Sequence, residues 1–305
     1  MKDWWIRNRQ LFLRGLGTLA ALGLIALLVK EEGWEELLTV FRSLSMGRLL
    51  LALLIMLISR MFVSMRWYVL LRSGGVEISF GRSVALTFTG LFSSNFLPTT
   101  IGGDVVRLAG IMQMGYDRAV SLASIAADRL IGMLGMVFAL PLGLPQSLAV
   151  LGGEGMQSLV VPAILRRGWE FVRRTLQSFS TWVRQPFVLL AALACTWGHM
   201  LCTFAALYIM IEGLGAHVDF WLLGGLWSVT YFVTLIPISI NGYGVQELSF
   251  TYLLTSAAGL GTSLSLTVAI LIRVLYMIAS LPGAVAMPGL LAAMGRRTSG
   301  DPDQP

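Results

Sequence analysis

Residues 49–71 read LLLALLIMLISRMFVSMRWYVLL. The run exceeds the roughly 20 apolar residues that carry a helix across a hydrocarbon core of ~30 Å. Two arginines, Arg60 and Arg66, interrupt it. Lipid offers no partners to free backbone groups, so such a segment crosses as a helix. The rest of the chain repeats the pattern, and the other expected spans are Leu11–Val29, Ala119–Leu142, Ser147–Leu165, Phe187–Ile211 and Ser263–Leu291. Composition agrees. The 305 residues are 56% hydrophobic and 12% charged, with a mean hydropathy of +0.77. A soluble domain of this size cannot hide so much apolar surface.

The basic residues orient the spans. Lys2, Arg7, Arg9 and Arg14, the arginines from Arg166 to Arg184, and Arg296 and Arg297 all fall on one side, against Lys30, Arg42 and Arg48 on the other. The positive-inside rule then places both termini in the cytoplasm. It also accounts for the net charge of +6 without nucleic acid. The sequence Lys30–Glu36 that follows the first run is not a signal-cleavage site. Cys195 and Cys202 lie two helical turns apart, ~10 Å, too far for a disulfide.

Two stretches do not fit as simple spans. Ser83–Gln113 lies between Arg82 and Arg118, and its middle, Phe96–Asp104, reads FLPTTIGGD. Two full crossings need ~40 residues, more than it holds, and Pro98, Gly102 and Gly103 break the helix in its centre. A re-entrant pair of half-helices accounts for both, because irregular backbone is tolerated at depth where protein or a water-filled cavity surrounds it. Phe220–Ala258 carries the same punctuation. Leu97-Pro98 precedes Gly102-Gly103 as Ile236-Pro237 precedes Asn241-Gly242, and each stretch leads into a span with an internal arginine, Arg129 or Arg273. Each is also preceded by an amphipathic stripe, Trp34, Leu37, Leu38, Phe41 and Leu44 in one case, Trp169, Val172, Leu176, Phe179 and Val183 in the other.

The expected fold is therefore an all-α polytopic membrane protein. About six full transmembrane helices and two re-entrant hairpins form an inverted-topology repeat with cytoplasmic termini, an arrangement common among transporters. Repeat one covers about 11–142 and repeat two about 147–291, in a single integral membrane domain over 1–295, with a short polar tail over 296–305.

Polar groups at membrane depth are costly and mark function. The first candidate set is Asn95, Pro98, Gly102, Gly103, Asp104 and Arg107, where the breakers free backbone groups and Asp104 and Arg107 share a helix face. The second is Asp128 and Arg129. Adjacent positions diverge by ~100° on a helix, so Arg129 has Asp104 or Glu247 as alternative packing partners to a bound phosphate. The third is Pro237, Asn241, Gly242 and Glu247 with Arg273, either a fixed pair or a gate. Arg60 sits mid-span, while Arg66 is nearer the cytoplasm and can snorkel. Cys195, His199 and Cys202 share a face, but three ligands on one helix rarely converge on one ion. The chain holds no G-x-S-x-G, H-E-x-x-H or P-loop motif. The expectation is a non-enzyme with no metal, no cofactor and no ATP site.

NFLPTTIGGDVVR at 95–107, DRL at 128–130, PISINGYGVQE at 237–247 and a span with Arg273 together resemble the lysylphosphatidylglycerol synthase transmembrane-region family, also called flippase-like. Asp128 stands where glutamate is expected before the arginine, and Asn241 and Tyr243 stand in a turn usually richer in glycine and leucine. The resemblance implies movement of an anionic phospholipid or isoprenoid-linked lipid between leaflets of a bacterial or archaeal cytoplasmic membrane. With RRTSGDPDQP closing the sequence, it implies the stand-alone form without a soluble transferase domain. The implied partners are membrane lipids and a separate lipid-modifying transferase. The alternative is a non-transporting scaffold that presents lipid to such a transferase.

Overall fold

The computed structural model describes residues 16, 18–30, 33–97, 102–150, 166, 170, 185–236 and 238–287. Every regular element among them is helical. The order is α1 (Thr18–Lys30), α2 (Trp34–Ser43), α3 (Met46–Ser73), α4 (Phe80–Ser94), α5 (Gly102–Gln113) and α6 (Arg118–Ala139), which runs on through a 3-10 turn at Leu140–Leu142. Then come α7 (Pro186–Gly213), α8 (Phe220–Thr234), α9 (Val245–Ala258) and α10 (Thr262–Ser280).

Four helices are long and apolar enough to cross a membrane: Met46–Ser73, Arg118–Leu142, Pro186–Gly213 and Thr262–Met287. They correspond to the second, third, fifth and sixth spans expected from sequence. Helix α1 is the described part of the first. Most of the fourth, Ser147–Leu165, lies outside the described residues, as does the amphipathic stripe from Trp169 to Val183.

Helix α3 shows why water is the wrong solvent for this fold. Leu50, Leu54, Ile58, Met61 and Met65 recur every three or four residues and are exposed, while Ser59, Arg60, Ser64 and Arg66 are buried. The polarity is the reverse of a soluble amphipathic helix, as expected where lipid surrounds the bundle. Helices α3 and α7 are both 28 residues long, ~42 Å at the α-helical rise. They pack extensively and run antiparallel. Arg48, near the start of α3, donates to the Glu212 carbonyl near the end of α7 at 3.2 Å. Gln185, just before α7, donates to the carbonyl of Ser73 at the end of α3 at 3.5 Å. Small side chains allow the close approach. A β-carbon on Gly198 would stand 2.8 Å from the Phe62 ring. The largest apolar core lies where α7–α10 meet α3 and α6, around Met56, Phe204, Trp227 and Phe250.

The two breaker-rich stretches fold as pairs of short helices. Helix α4 has 15 residues and α5 has 12; α8 has 15 and α9 has 14. At 1.5 Å per residue none exceeds about 23 Å, short of a ~30 Å core. Corresponding caps start each pair: the Ser79 hydroxyl accepts from Arg82 N at 3.4 Å, and the Asp219 carboxylate from Leu222 N at 2.8 Å. Pro98 and Pro237 lie outside the described residues.

Helices α4 and α5 touch backbone to backbone. A β-carbon on Gly103 would stand 2.4 Å from the Gly90 carbonyl oxygen, whereas one on Gly81 would meet nothing within 4 Å. Gly103→Ala is therefore expected to lower stability by about 1–3 kcal/mol through overpacking, with Gly81→Ala nearly neutral. Thermal unfolding of the two detergent-solubilised variants checks this. Equal unfolding temperatures would mean that the hairpin tolerates separation.

Candidate lipid-headgroup cavity

Arg66 of α3, Asp104 and Arg107 of α5, and Asp128 and Arg129 of α6 form one ladder of alternating charge. Arg66 Nε donates to Asp128 Oδ1 at 2.7 Å, and Arg107 Nη1 and Nη2 both donate to Asp128 Oδ2 at 3.1 Å. Arg107 Nη1 also reaches Asp104 Oδ1 at 3.2 Å, and Arg129 Nε pairs with Asp104 Oδ2. Arg66 Nη1 extends the ladder to the Thr196 hydroxyl of α7 at 3.1 Å. Arg107 stacks on the Trp67 ring, 3.9 Å from its centroid, and Trp67 donates to Ser124 at 3.3 Å. Side chains from four helices are thus held in one arrangement.

Helix geometry makes this possible. Asp104 and Arg107 stack one turn apart. Asp128 and Arg129, ~100° apart around α6, face different partners instead of each other. Arg60, Val63 and Arg66 recur at intervals of three along α3 and all line the same cavity.

That cavity encloses about 260 Å³. Arg60, Arg66, Asp104, Arg107, Asp128 and Arg129 line it, together with Thr196, His199, Tyr231 and an apolar remainder that includes Val63, Leu91, Met136 and Met200. A second cavity of about 110 Å³ shares Val63, Leu91, Asp104, Arg107 and Arg129 with the first and adds Thr87, Gly90, Ser94, Gly103 and Asn241. The second hairpin therefore reaches the polar interior at Asn241. Its neighbour Tyr243 donates to the Asn95 carbonyl of the first hairpin at 3.0 Å, and the Asn95 amide donates to Ser280 at 2.8 Å.

Among the four guanidiniums the exposures differ. The Arg66 and Arg107 side chains are each 7% exposed, while Arg129 is 35% exposed. Arg60 is buried, with its guanidinium 4.4 Å from the centroid of the Tyr276 ring. His199 hydrogen-bonds through Nδ1 to the Ser59 hydroxyl at 2.5 Å. Among the described residues no group of three or more His, Cys, Asp or Glu side chains is placed to hold a metal ion.

The second acid–arginine pair forms a separate clasp. Arg273 Nε pairs with Glu247, Arg273 Nη2 donates to the Gly242 carbonyl at 3.2 Å, and the guanidinium lies 4.8 Å from the Tyr243 ring centroid. Glu247 Oε2 accepts from Gly244 N at 2.8 Å, closing the start of α9. Asn241 adopts φ +50° in the turn that precedes it.

The structure thus divides the sequence candidates. Arg60, Asp104, Arg107, Asp128 and Arg129 converge on the main cavity, and Gly103 and Asn241 on the adjoining one. Asn95 ties the hairpins together, Gly102 packs against Leu97, and Gly242, Glu247 and Arg273 make the clasp. Arg129 takes Asp104 and not Glu247 as its carboxylate partner. Arg66 departs from expectation. It does not snorkel to an interface, because Asp128 and Thr196 hold it inside the bundle. Thr196 and Tyr231 were not among the sequence candidates, and His199 was considered there only as part of a face with Cys195 and Cys202.

A comparison with curated proteins finds no match. A helical bundle with several membrane-length spans and a buried charge ladder at its broken helices is a multi-pass membrane protein, and the family model for the lysylphosphatidylglycerol synthase TM region matches residues 15–283. The chain belongs to the lysylphosphatidylglycerol synthase transmembrane-region family.

Proposed function

We propose that this protein is a lipid flippase or lipid transporter of a bacterial or archaeal cytoplasmic membrane, and not an enzyme. It moves an anionic phospholipid or an isoprenoid-linked lipid between leaflets. The observation that carries this reading is the polar cavity within an otherwise apolar bundle, walled by four arginines against two aspartates. Guanidinium groups bind phosphate through paired, charge-assisted hydrogen bonds, and the headgroup regions that flank the hydrocarbon core present lipid phosphate in abundance. Arg129 is the proposed first contact, since part of its side chain stays open while Asp104 holds it.

The reading includes the transport architecture: six spans, two re-entrant hairpins and an inverted repeat, with both termini cytoplasmic. Three features support it. The hairpin helices are too short to span. The second spans of the two halves, α3 and α7, lie antiparallel, as elements related by an axis in the membrane plane do. In each half, an acid in the first turn of the second hairpin helix pairs with the arginine of the following span, Asp104 with Arg129 and Glu247 with Arg273.

Reconstitution into liposomes that carry a headgroup-labelled anionic lipid in one leaflet tests the function. Exchange well above that of protein-free vesicles is expected. Exchange at the protein-free rate, from protein shown to be folded, favours the scaffold that presents lipid to a transferase.

A further inference from the structure

The described charges lining the main cavity do not cancel. Arginine stays protonated in proteins, so Arg60, Arg66, Arg107 and Arg129 face Asp104 and Asp128 with a formal excess of two positive charges. The ladder accounts for one of these. It begins and ends on arginine, with Asp128 held between Arg66 and Arg107 and Asp104 between Arg107 and Arg129.

Arg60 supplies the other. It is 9% exposed, and no carboxylate among the described residues lies within ion-pair distance of it. Its contacts are soft: Nη2 stands 3.7 Å from Met56 Sδ, and the guanidinium lies over the Tyr276 ring. A cation–π contact offsets only part of the cost of placing an arginine inside a span. Packing gives no return for this residue, because leucine would fill the same space. One polar atom in the ladder is also left over. Arg107 Nε is buried and has no hydrogen-bond partner.

We propose that the cavity selects a headgroup with two negative charges, a phosphomonoester or a diphosphate, over a singly charged phosphodiester, and that Arg60 reads the second charge. This rests on the reading that a lipid headgroup occupies the cavity. In a low-dielectric interior uncompensated charge is expensive. A dianion neutralises the wall, whereas a phosphodiester leaves one cation unbalanced. Arg129, at the exposed end of the ladder, engages the anion first. Arg60, buried on α3, distinguishes one negative charge from two.

The test compares two short-chain lipids with identical acyl chains, phosphatidate and phosphatidylglycerol, binding to the full chain in zwitterionic nanodiscs. At about pH 8 the phosphomonoester is doubly charged, its second ionisation lying near 6. Phosphatidate is expected to bind at least ~10-fold more tightly, which corresponds to about 1.4 kcal/mol. Arg60→Gln should bring the ratio to within about twofold by weakening phosphatidate alone, and Arg60→Lys should keep most of the preference, as charge reading predicts. Inorganic phosphate and pyrophosphate are run as competitors, and weak competition is expected if the lipid is the true source of the anion. Equal binding of the two lipids by the wild-type protein overturns the proposal and leaves the transport reading standing. Binding of neither lipid overturns both. Displacement of phosphatidate by stoichiometric inorganic phosphate overturns the assignment to lipid.

Discussion

Asp128→Ala is expected to destabilise the protein more than any other substitution considered, by about 3–5 kcal/mol, the range for removing one partner of a buried ion pair. The carboxylate is 3% exposed and takes three hydrogen bonds from two arginines. Without it, Arg66 retains only Thr196 among the described partners, and Arg107 retains Asp104 and the face of Trp67. Two guanidiniums would then lie next to each other in the bundle with their common counter-charge gone. Asp128→Asn keeps the shape and one acceptor, so its loss should be smaller, and Asp128→Glu should restore part of the stability. Unfolding temperatures of the three detergent-solubilised variants order them directly. An Asp128→Ala protein as stable as wild type would show that the ladder does not hold the helices together.

Arg129 should behave in the opposite way, with a small effect on folding and a large one on transport. Its side chain is 35% exposed, and its partner Asp104 keeps Arg107 when Arg129 is removed. Arg129→Ala is thus expected to cost about 1–2 kcal/mol, between the limits for surface and buried pairs. In the leaflet-exchange assay the same variant should lose at least ~10-fold in rate, the equivalent of about 1.4 kcal/mol of lost headgroup interaction. Arg129→Lys retains the charge without the planar fork and should fall between wild type and Arg129→Ala. Wild-type exchange from both variants at matched protein levels would move the headgroup contact elsewhere in the cavity.

The spans were legible because the bilayer imposes a length, and the long helices α3, α6, α7 and α10 fall where the apolar runs lie. The break within each irregular stretch was legible through Gly102 and Gly103 and through Asn241 and Gly242, which fall where the stretch divides into two short helices. The charged site was legible as a set of candidates, since each aspartate or arginine within an apolar run demands an explanation. Its wiring was not. Whether Arg129 meets Asp104 or Glu247 depends on how α5 and α9 lean against α6 and α10, which no local periodicity encodes. Arg66 was misread because its position near the end of an apolar run permits snorkelling equally well. Thr196 was invisible for a related reason: a hydroxyl on an apolar helix reads the same whether it bonds its own backbone or lines a cavity.

The span of chain between the ladder's partners constrains how the protein is made. Arg66 leaves the ribosome 62 residues before Asp128 and 130 residues before Thr196. At synthesis rates of about 5–20 residues per second, that first interval lasts about 3–12 s. Throughout it α3 carries two arginines with neither ladder partner yet synthesised, at an insertion cost of ~2.5–3.5 kcal/mol for each one at the centre of the helix. The apolar remainder of α3 must outweigh that cost, or the insertion machinery must shelter the helix until α6 arrives. A chain truncated before Asp128 is therefore expected to leave Arg66 in the membrane without its carboxylate partner.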